Sequence, residues 1–250
     1  MAGVNICGLS KTYYIKDVPI PALADVNLDI ADGSFVTIVG KSGCGKSTLL
    51  RLICDLEPMT TGEMVFTTEG EIQNRVQARV NMVFQEPRLM PWLTVEQNMA
   101  VALIREPDAQ KSQATVRQFL DMMGLKKFKD AYPIQISGGM AQRVALGRML
   151  CYNPDLILMD EPFGALDAFT RRNLQKLLID IFKEQKKTIL FVTHDVDEAV
   201  FLGEKVVIIE AGRISREVPV NLPYLRDMAS HAFFRLREDI IATIMHDEDV

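Results

Sequence analysis

No two of the four cysteines, Cys7, Cys44, Cys54 and Cys151, stand in a CxxC or CxxxxC spacing. That excludes a zinc ribbon, offers no disulfide framework and leaves the reading of reduced thiols. Positive charge is not in excess either. Against 33 acidic residues stand 28 lysines and arginines, a net charge of −5, which argues against a broad phosphate-neutralising surface and so against nucleic acid as a partner, with only local basic patches left open. Residues 1–10 hold no basic stretch followed by a long apolar one, so no secretory signal is visible and the chain is expected in the cytoplasm. Apolar runs such as 156–159 and 206–209 have the length of strands, far short of the roughly 20 residues a membrane-spanning helix needs. Internal repeats and low-complexity tracts are also missing. What is present is balanced: 48% hydrophobic and 24% charged residues in a length of 250 suit one domain, or one and a half, with its own core, and exclude wholesale disorder.

Val26, Leu28 and Ile30 alternate, and Asp32-Gly33 then supplies a turn before the apolar run 35–39, which reads as antiparallel strands leading into a core strand. The runs 80–84, 156–159, 189–193 and 206–209 do not alternate, the pattern of strands buried on both faces in a mainly parallel sheet. Between them lie helical stripes: Leu174, Leu177, Leu178, Ile181 and Phe182, then Val196, Ala199 and Val200, closed by Gly203 at a C-cap. Strand and helix alternate, so the fold class is α/β. Residues 86–153 break this rhythm with helical patterns alone, Val116, Phe119, Leu120 and Met123 before Gly124 among them. They read as a helical subdomain inserted into a core made of 1–85 and 154–218. After Pro219 and Pro223 a final helix is expected over 233–245, in a tail spanning 219–250.

Three segments carry chemistry. Gly40-Lys41-Ser42-Gly43-Cys44-Gly45-Lys46-Ser47-Thr48 fits GxxxxGK[ST] and lies between the strand 35–39 and a helix opening at Leu49-Leu50. Glycines there let the backbone wrap phosphate groups with its N–H groups turned inward, at a helix N-terminus whose dipole favours an anion. Lys46 would reach the β and γ phosphates and Ser47 a Mg²⁺ ion; the bland alternative is a glycine-rich turn. In the second segment, the strand 156–159 runs into Asp160-Glu161-Pro162, and ligands of open α/β sheets gather at such strand ends. Adjacent strand residues point to opposite sides, so Asp160 would hold Mg²⁺ through water and Glu161 would polarise the water that attacks the γ phosphate. Alone, an Asp-Glu pair after a strand is as a rule a solvated turn; beside a phosphate loop it becomes a catalytic pair. In the third, Ser137-Gly138-Gly139 opens a helix with Met140, Val144 and Met149 on its apolar side, either a plain N-cap or a second anion site.

With these segments in this order the chain resembles the ATP-binding subunits of ABC transporters over essentially its whole length. The resemblance implies a RecA-like P-loop core with an N-terminal antiparallel β subdomain and the inserted helical one. It makes 40–48 the Walker A motif, 156–161 the Walker B and 137–142 the signature. It further implies that Gln85 is the Q-loop glutamine that contacts Mg²⁺ and the attacking water, that Asp167 in Ala165-Leu166-Asp167 reaches across a dimer, and that His194 contacts the γ phosphate. Without the family His194 is one of three histidines, at a strand end. Tyr13, with Tyr14 as the alternative ring, would stack on adenine. The signature departs from the usual Leu-Ser-Gly-Gly-Gln in having Met140, which removes a side-chain amide while Ser137 and the Gly139 backbone remain.

Members of this family work as two nucleotide-binding subunits, here expected to be identical, sandwiching two ATP molecules. They sit peripherally on the cytoplasmic face of the membrane against permease subunits, with an extracytoplasmic solute-binding protein as an indirect partner. The permease groove is expected near Gln85 and residues 86–92. Trp92, the one tryptophan, either packs inside the helical subdomain or touches the permease. Residues 89–95 with Asn98, and 160–167, resemble the ATPases of nitrate, sulfonate, taurine and bicarbonate importers, a branch that also serves vitamin-precursor pyrimidines; an end near residue 250 lowers a sugar-importer reading. The alternative is a soluble ABC ATPase, such as one of iron–sulfur cluster assembly. Apart from Mg²⁺ with ATP, no metal is expected.

Overall fold

The computed structural model describes residues 2–68, 71–73, 78–164 and 166–245. Ala165, at the head of the expected cross-dimer loop, lies outside the described residues. The chain begins with two long strands, β1 (Gly3–Ile15) and β2 (Val18–Ile30), paired antiparallel through Ile15 and Val18. The connecting residues Lys16 and Asp17 both take positive φ, as the tightest hairpin turn requires. Strands β4 (Thr61–Thr68) and β5 (Glu71–Gln73) complete a four-stranded antiparallel sheet in the order β2-β1-β4-β5.

The second sheet has six strands. To β3 (Phe35–Val39) are added β6 (Val80–Val83), β7 (Leu156–Asp160), β8 (Thr188–Val192), β9 (Lys205–Glu210) and β10 (Arg213–Pro219), in the order β10-β9-β3-β8-β7-β6. All pairs are parallel except β9 with β10. All five residues of β3, β7 and β8 are buried, which is why those segments carry apolar residues without alternation. The Asp32-Gly33 turn does not join paired strands: β2 and β3 belong to different sheets. The turn instead carries the chain from one layer to the next, and the Gly33 N–H donates to Thr188 Oγ1 across that step.

Between the sheets lies one apolar layer, in which Val4, Ile6 and Val26 meet Leu158, Leu190 and helix α1 (Lys46–Ile53). The other face of the parallel sheet is covered by α5 (Ala168–Gln185) and α6 (Val196–Leu202), with α7 (His231–Met245) against α6. Phe35, Phe163, Phe182 and Phe191 interlock there at centroid distances of 5.4–6.4 Å, and full burial of one such ring is worth roughly 2–3 kcal/mol. Gly203 ends α6 in extended rather than left-handed backbone. Glycine is needed for room, since a Cβ would stand 2.5 Å from Thr37 Oγ1.

Between β6 and β7 the described elements are helical: α2 (Val95–Ala100), α3 (Ala109–Met122), α4 (Gly138–Tyr152) and three short 3-10 turns. Asp108 caps α3 and Thr94 forms a capping box on α2 with Gln97. Asn98, fully buried, accepts from Met90 N–H and donates to the carbonyls of Met90, Leu93 and Thr94, which fixes the loop ahead of α2.

Candidate functional site

The sheet brings its C-terminal strand ends into one row. At β3 the chain leaves Val39 and turns through Gly40, Gly43 and Gly45, all at positive φ. A Cβ on Gly40 would lie 2.1 Å from the Ile209 carbonyl oxygen and one on Gly45 2.5 Å from that of Ala22, so both positions exclude a side chain. The loop feeds α1 without a side-chain cap, leaving the first N–H groups of the helix free to bind an anion. Lys46 is buried, and its ammonium sits in the mouth of the loop, donating to Gly40 O at 2.8 Å and Lys41 O at 2.9 Å and lying 3.7 Å from Cys44 Sγ.

Ser47 Oγ donates to Asp160 Oδ1 at 2.9 Å. Burial pushes the Asp160 carboxyl above its ordinary range, with the Ser47 hydrogen bond opposing and the neighbouring Glu161 reinforcing. A hydroxyl and a carboxylate oxygen in contact beside a phosphate loop suit Mg²⁺, which is held by few protein oxygens together with substrate phosphates. Among the described residues no cluster of three or more His, Cys, Asp or Glu side chains offers any other metal a site.

Glu161 departs from the expected alternation. β7 ends at Asp160, and Glu161 turns away at φ +44°, a left-handed backbone uncommon for this residue, with its N–H donated to Val192 O. The two acids therefore diverge because of this turn and not because of strand pleating. The turn aims Glu161 Oε2 at two partners: His194 Nδ1 at 2.9 Å and Gln85 Nε2 at 3.5 Å. The pairing of Val83 with Met159 and of Asp160 with Val192 sets these three residues side by side, each just past its strand. A cavity of about 350 Å³ lies between them, with Ser42, Lys46 and Ser47 on one wall and Gln85, Glu161 and His194 on the other. A larger cavity of about 470 Å³, near Arg79, Lys111 and Asn153, shares no residue with the phosphate loop.

Ser137, Gly138, Gly139 and Asp167 do not line the cleft. Ser137 caps α4, accepting from Met140 N–H at 3.2 Å, and Asp167 caps α5, accepting from Thr170 N–H at 2.9 Å. That cap holds the exposed Asp167 carboxyl below its usual range. A Cβ on Gly138 would meet nothing within 4 Å, so the packing of the chain itself does not demand glycine there. Of the two tyrosines, Tyr13 turns toward α1, its hydroxyl bonded to Glu57 and beside Thr48, whereas Tyr14 is exposed on the hairpin. Lys11 Nζ lies over the Tyr13 ring, 5.0 Å from its centroid. Trp92 is 72% exposed, so it does not pack inside the helical segment.

Two further residues tie α4 to the loop after β6. Gln142, buried, donates to Phe84 O at 3.2 Å, and Arg148 donates to the carbonyls of Pro87 and Arg88 at 3.1 and 3.2 Å. The motifs leave Arg148 out and include Gln142 only as the last residue of the signature, with no contact assigned to it; the available signal is a polar side chain at helical positions whose neighbours, Ala141, Val144, Ala145 and Met149, are all core.

A family model described as ABC transporter matches residues 23–164. The aliphatic sulfonates import ATP-binding protein SsuB of Bacillus cereus is 42% identical over 240 residues, covering 95% of this chain and 94% of that protein. SsuB of Bacillus subtilis is 42% identical over 231 residues, 91% and 89% of the two chains. Among solved structures, the dimeric post-hydrolysis state of the ATP-binding cassette MJ0796 bound to ADP and Pi matches with a TM-score of 0.80 and 34% identity, over 87% of this chain and 99% of that one. With the strand order, the phosphate loop and the Glu161 turn in place, the chain belongs to the ABC transporter family.

Proposed function

We propose that this chain binds Mg·ATP, hydrolyses it, and powers uptake of an aliphatic sulfonate as one of two identical nucleotide-binding subunits beneath a membrane permease. The observation that carries this reading is the convergence of Gln85 and His194 on Glu161 Oε2, across one cleft from Lys46 and Ser47. The loop N–H groups and Lys46 hold the β and γ phosphates, the ammonium exchanging carbonyl partners for phosphate oxygens. Ser47, Asp160 and Gln85 are the residues that would hold Mg²⁺, which neutralises charge building on the phosphates. Glu161 accepts a proton from water as the water oxygen bonds to the γ phosphorus and the bond to the ADP oxygen breaks, giving ADP and phosphate. His194, held by Glu161, presents its other ring nitrogen to the γ phosphate.

Ser137 and Gly139 lie outside the cleft in one chain, which supports a site finished by a second copy. In that arrangement the γ phosphate links the copies, so ATP favours the closed pair and hydrolysis releases it. Among the described residues no helix is long and apolar enough to cross a membrane. Membrane attachment therefore falls to the permease, docked near the exposed Trp92 and the cavity of about 290 Å³ beside Pro87 and Met90, with a solute-binding protein acting on the far side. The sulfonate assignment follows the relatives named for that import.

The test is uptake of labelled alkanesulfonate, taurine and nitrate by cells carrying the wild-type chain or Lys46→Ala. Loss of sulfonate uptake alone is the expected result. Loss of a different cargo would replace the sulfonate assignment, and unimpaired uptake of all three with a protein found away from the membrane would favour a soluble ATPase.

A further inference from the structure

Beneath the His194 loop lies a buried polar contact that the hydrolytic mechanism above does not use. Glu198 on α6 and Gln175 on α5 are each 6% exposed, and Gln175 Nε2 donates to Glu198 Oε1 at 2.9 Å. The same carboxylate takes a hydrogen bond from the side chain of Thr193, itself buried, while the Glu198 N–H donates to Asp195 Oδ1 at 3.2 Å. Thr193 Oγ1 in turn accepts from Asp195 N–H at 3.1 Å. Both residues flanking His194 are thus fastened to Glu198.

On the α5 side, Gln175 lies one turn from Arg171, whose Nη2 donates to Leu166 O at 3.1 Å, next to the Asp167 cap. The charged groups around the Glu198 carboxylate are Arg171 on α5 and Asp195 ahead of α6. A cavity of about 80 Å³ runs along this contact, bordered by Glu161, His194, Arg171 and Glu198.

Packing alone gives no reason for a carboxylate here. Ala199, Val200, Phe201 and Leu202 already anchor α6 in the core, and a desolvated acid is costly where an apolar side chain of similar size is not. Desolvation does push the Glu198 carboxyl above its ordinary range, against the hydrogen bonds from Thr193 and Gln175.

We propose that Glu198 and Gln175 are positioning residues for hydrolysis: a buried strut that locks the loop carrying His194 to the helix that begins at Asp167. The two elements then shift as one body when the second copy closes on the γ phosphate. This rests on the reading of the cleft that Glu161 shares with His194 as the ATP site, and the Glu161→Gln control below tests that reading separately.

The experiment uses the assembled importer and reads ATP KM, kcat and the melting temperature together. Replacing both partners with apolar side chains, Glu198→Leu with Gln175→Leu, leaves few buried polar atoms orphaned, so stability is retained while the strut is lost. The expected result is an unchanged KM with kcat lowered about tenfold or more, the scale of a misplaced catalytic group. Glu198→Gln, which can hydrogen bond to both Thr193 and Gln175, is expected to restore kcat. Wild-type kcat in the double variant overturns the proposal, as does a raised KM with kcat intact. If the double variant does not assemble, Gln175→Met is read by the same rule. Glu161→Gln, measured alongside, must abolish turnover; if it does not, the reading of the ATP site fails and not the strut alone.

Discussion

Gly138 opens α4, and a methyl group on its Cα would meet no heavy atom within 4 Å. Its backbone is helical, so alanine fits without strain. In the isolated chain Gly138→Ala should therefore stabilise by about 0.4–1 kcal/mol, because the unfolded chain has less freedom to lose. For a chain of this size that is a rise of roughly 1–4 °C in melting temperature. The same methyl would stand where the second copy brings its phosphate-bearing loop. A shift of even about 1 Å in the bound phosphates can cost on the order of 10²-fold in rate, so ATP turnover by the assembled importer should fall at least tenfold on that scale. Calorimetry of the isolated subunit and steady-state ATPase of the complex give the two readings. A lowered melting temperature would mean that α4 uses Gly138 for its own packing. Unchanged turnover would refute the claim that a second copy closes on this helix.

Because Asp160 has a raised folded pKa, its burial favours the protonated form, so its contribution to stability is full below the ordinary carboxylate range and is lost as pH rises through the raised value. Without Mg²⁺, Asp160→Asn should be more stable than wild type at pH 7, with the gain vanishing as pH falls through that window; a gain that persists at pH 3, or none at pH 7, would contradict the assigned shift. Cys44 is buried beside Lys46 whereas Cys7 is exposed, so a thiol reagent should label Cys7 first and Cys44 slowly. Labelling of Cys44, read by mass spectrometry of its peptide, should lower nucleotide affinity and be blocked by prior ATP. Labelled Cys44 with unaltered affinity would show that the thiol stands clear of the phosphates.

The parallel sheet was legible because strands buried on both faces must be apolar throughout, as β7 and β8 are. The antiparallel layer was harder. In β1 the period of two breaks where the pairing register shifts between Ile6 and Leu9, with Gly8 at φ +61°. β4 of that layer buries only Phe66, and β10 at the edge of the other sheet only Val218; their remaining side chains are half-buried or exposed and leave little apolar signal. At the site, spacing alone pointed to residues 40–48 and to Asp160 and Glu161, which the fold sets close together, Ser47 bonded to Asp160 and Glu161 across the cleft from Lys46. The left-handed Glu161 had no such signal, since nothing in a glutamate side chain favours that backbone. Nor did Gln142, Arg148, Gln175 or Glu198: a polar residue on a helix reads as solvated until the packing around it is known.

The central claim is that ATP is held between two copies of this chain. Light scattering on purified Glu161→Gln in saturating Mg·ATP tests it most directly. The expected result is a dimer that persists in Mg·ATP and returns to monomer in Mg·ADP. A protein that binds ATP and stays monomeric would contradict it.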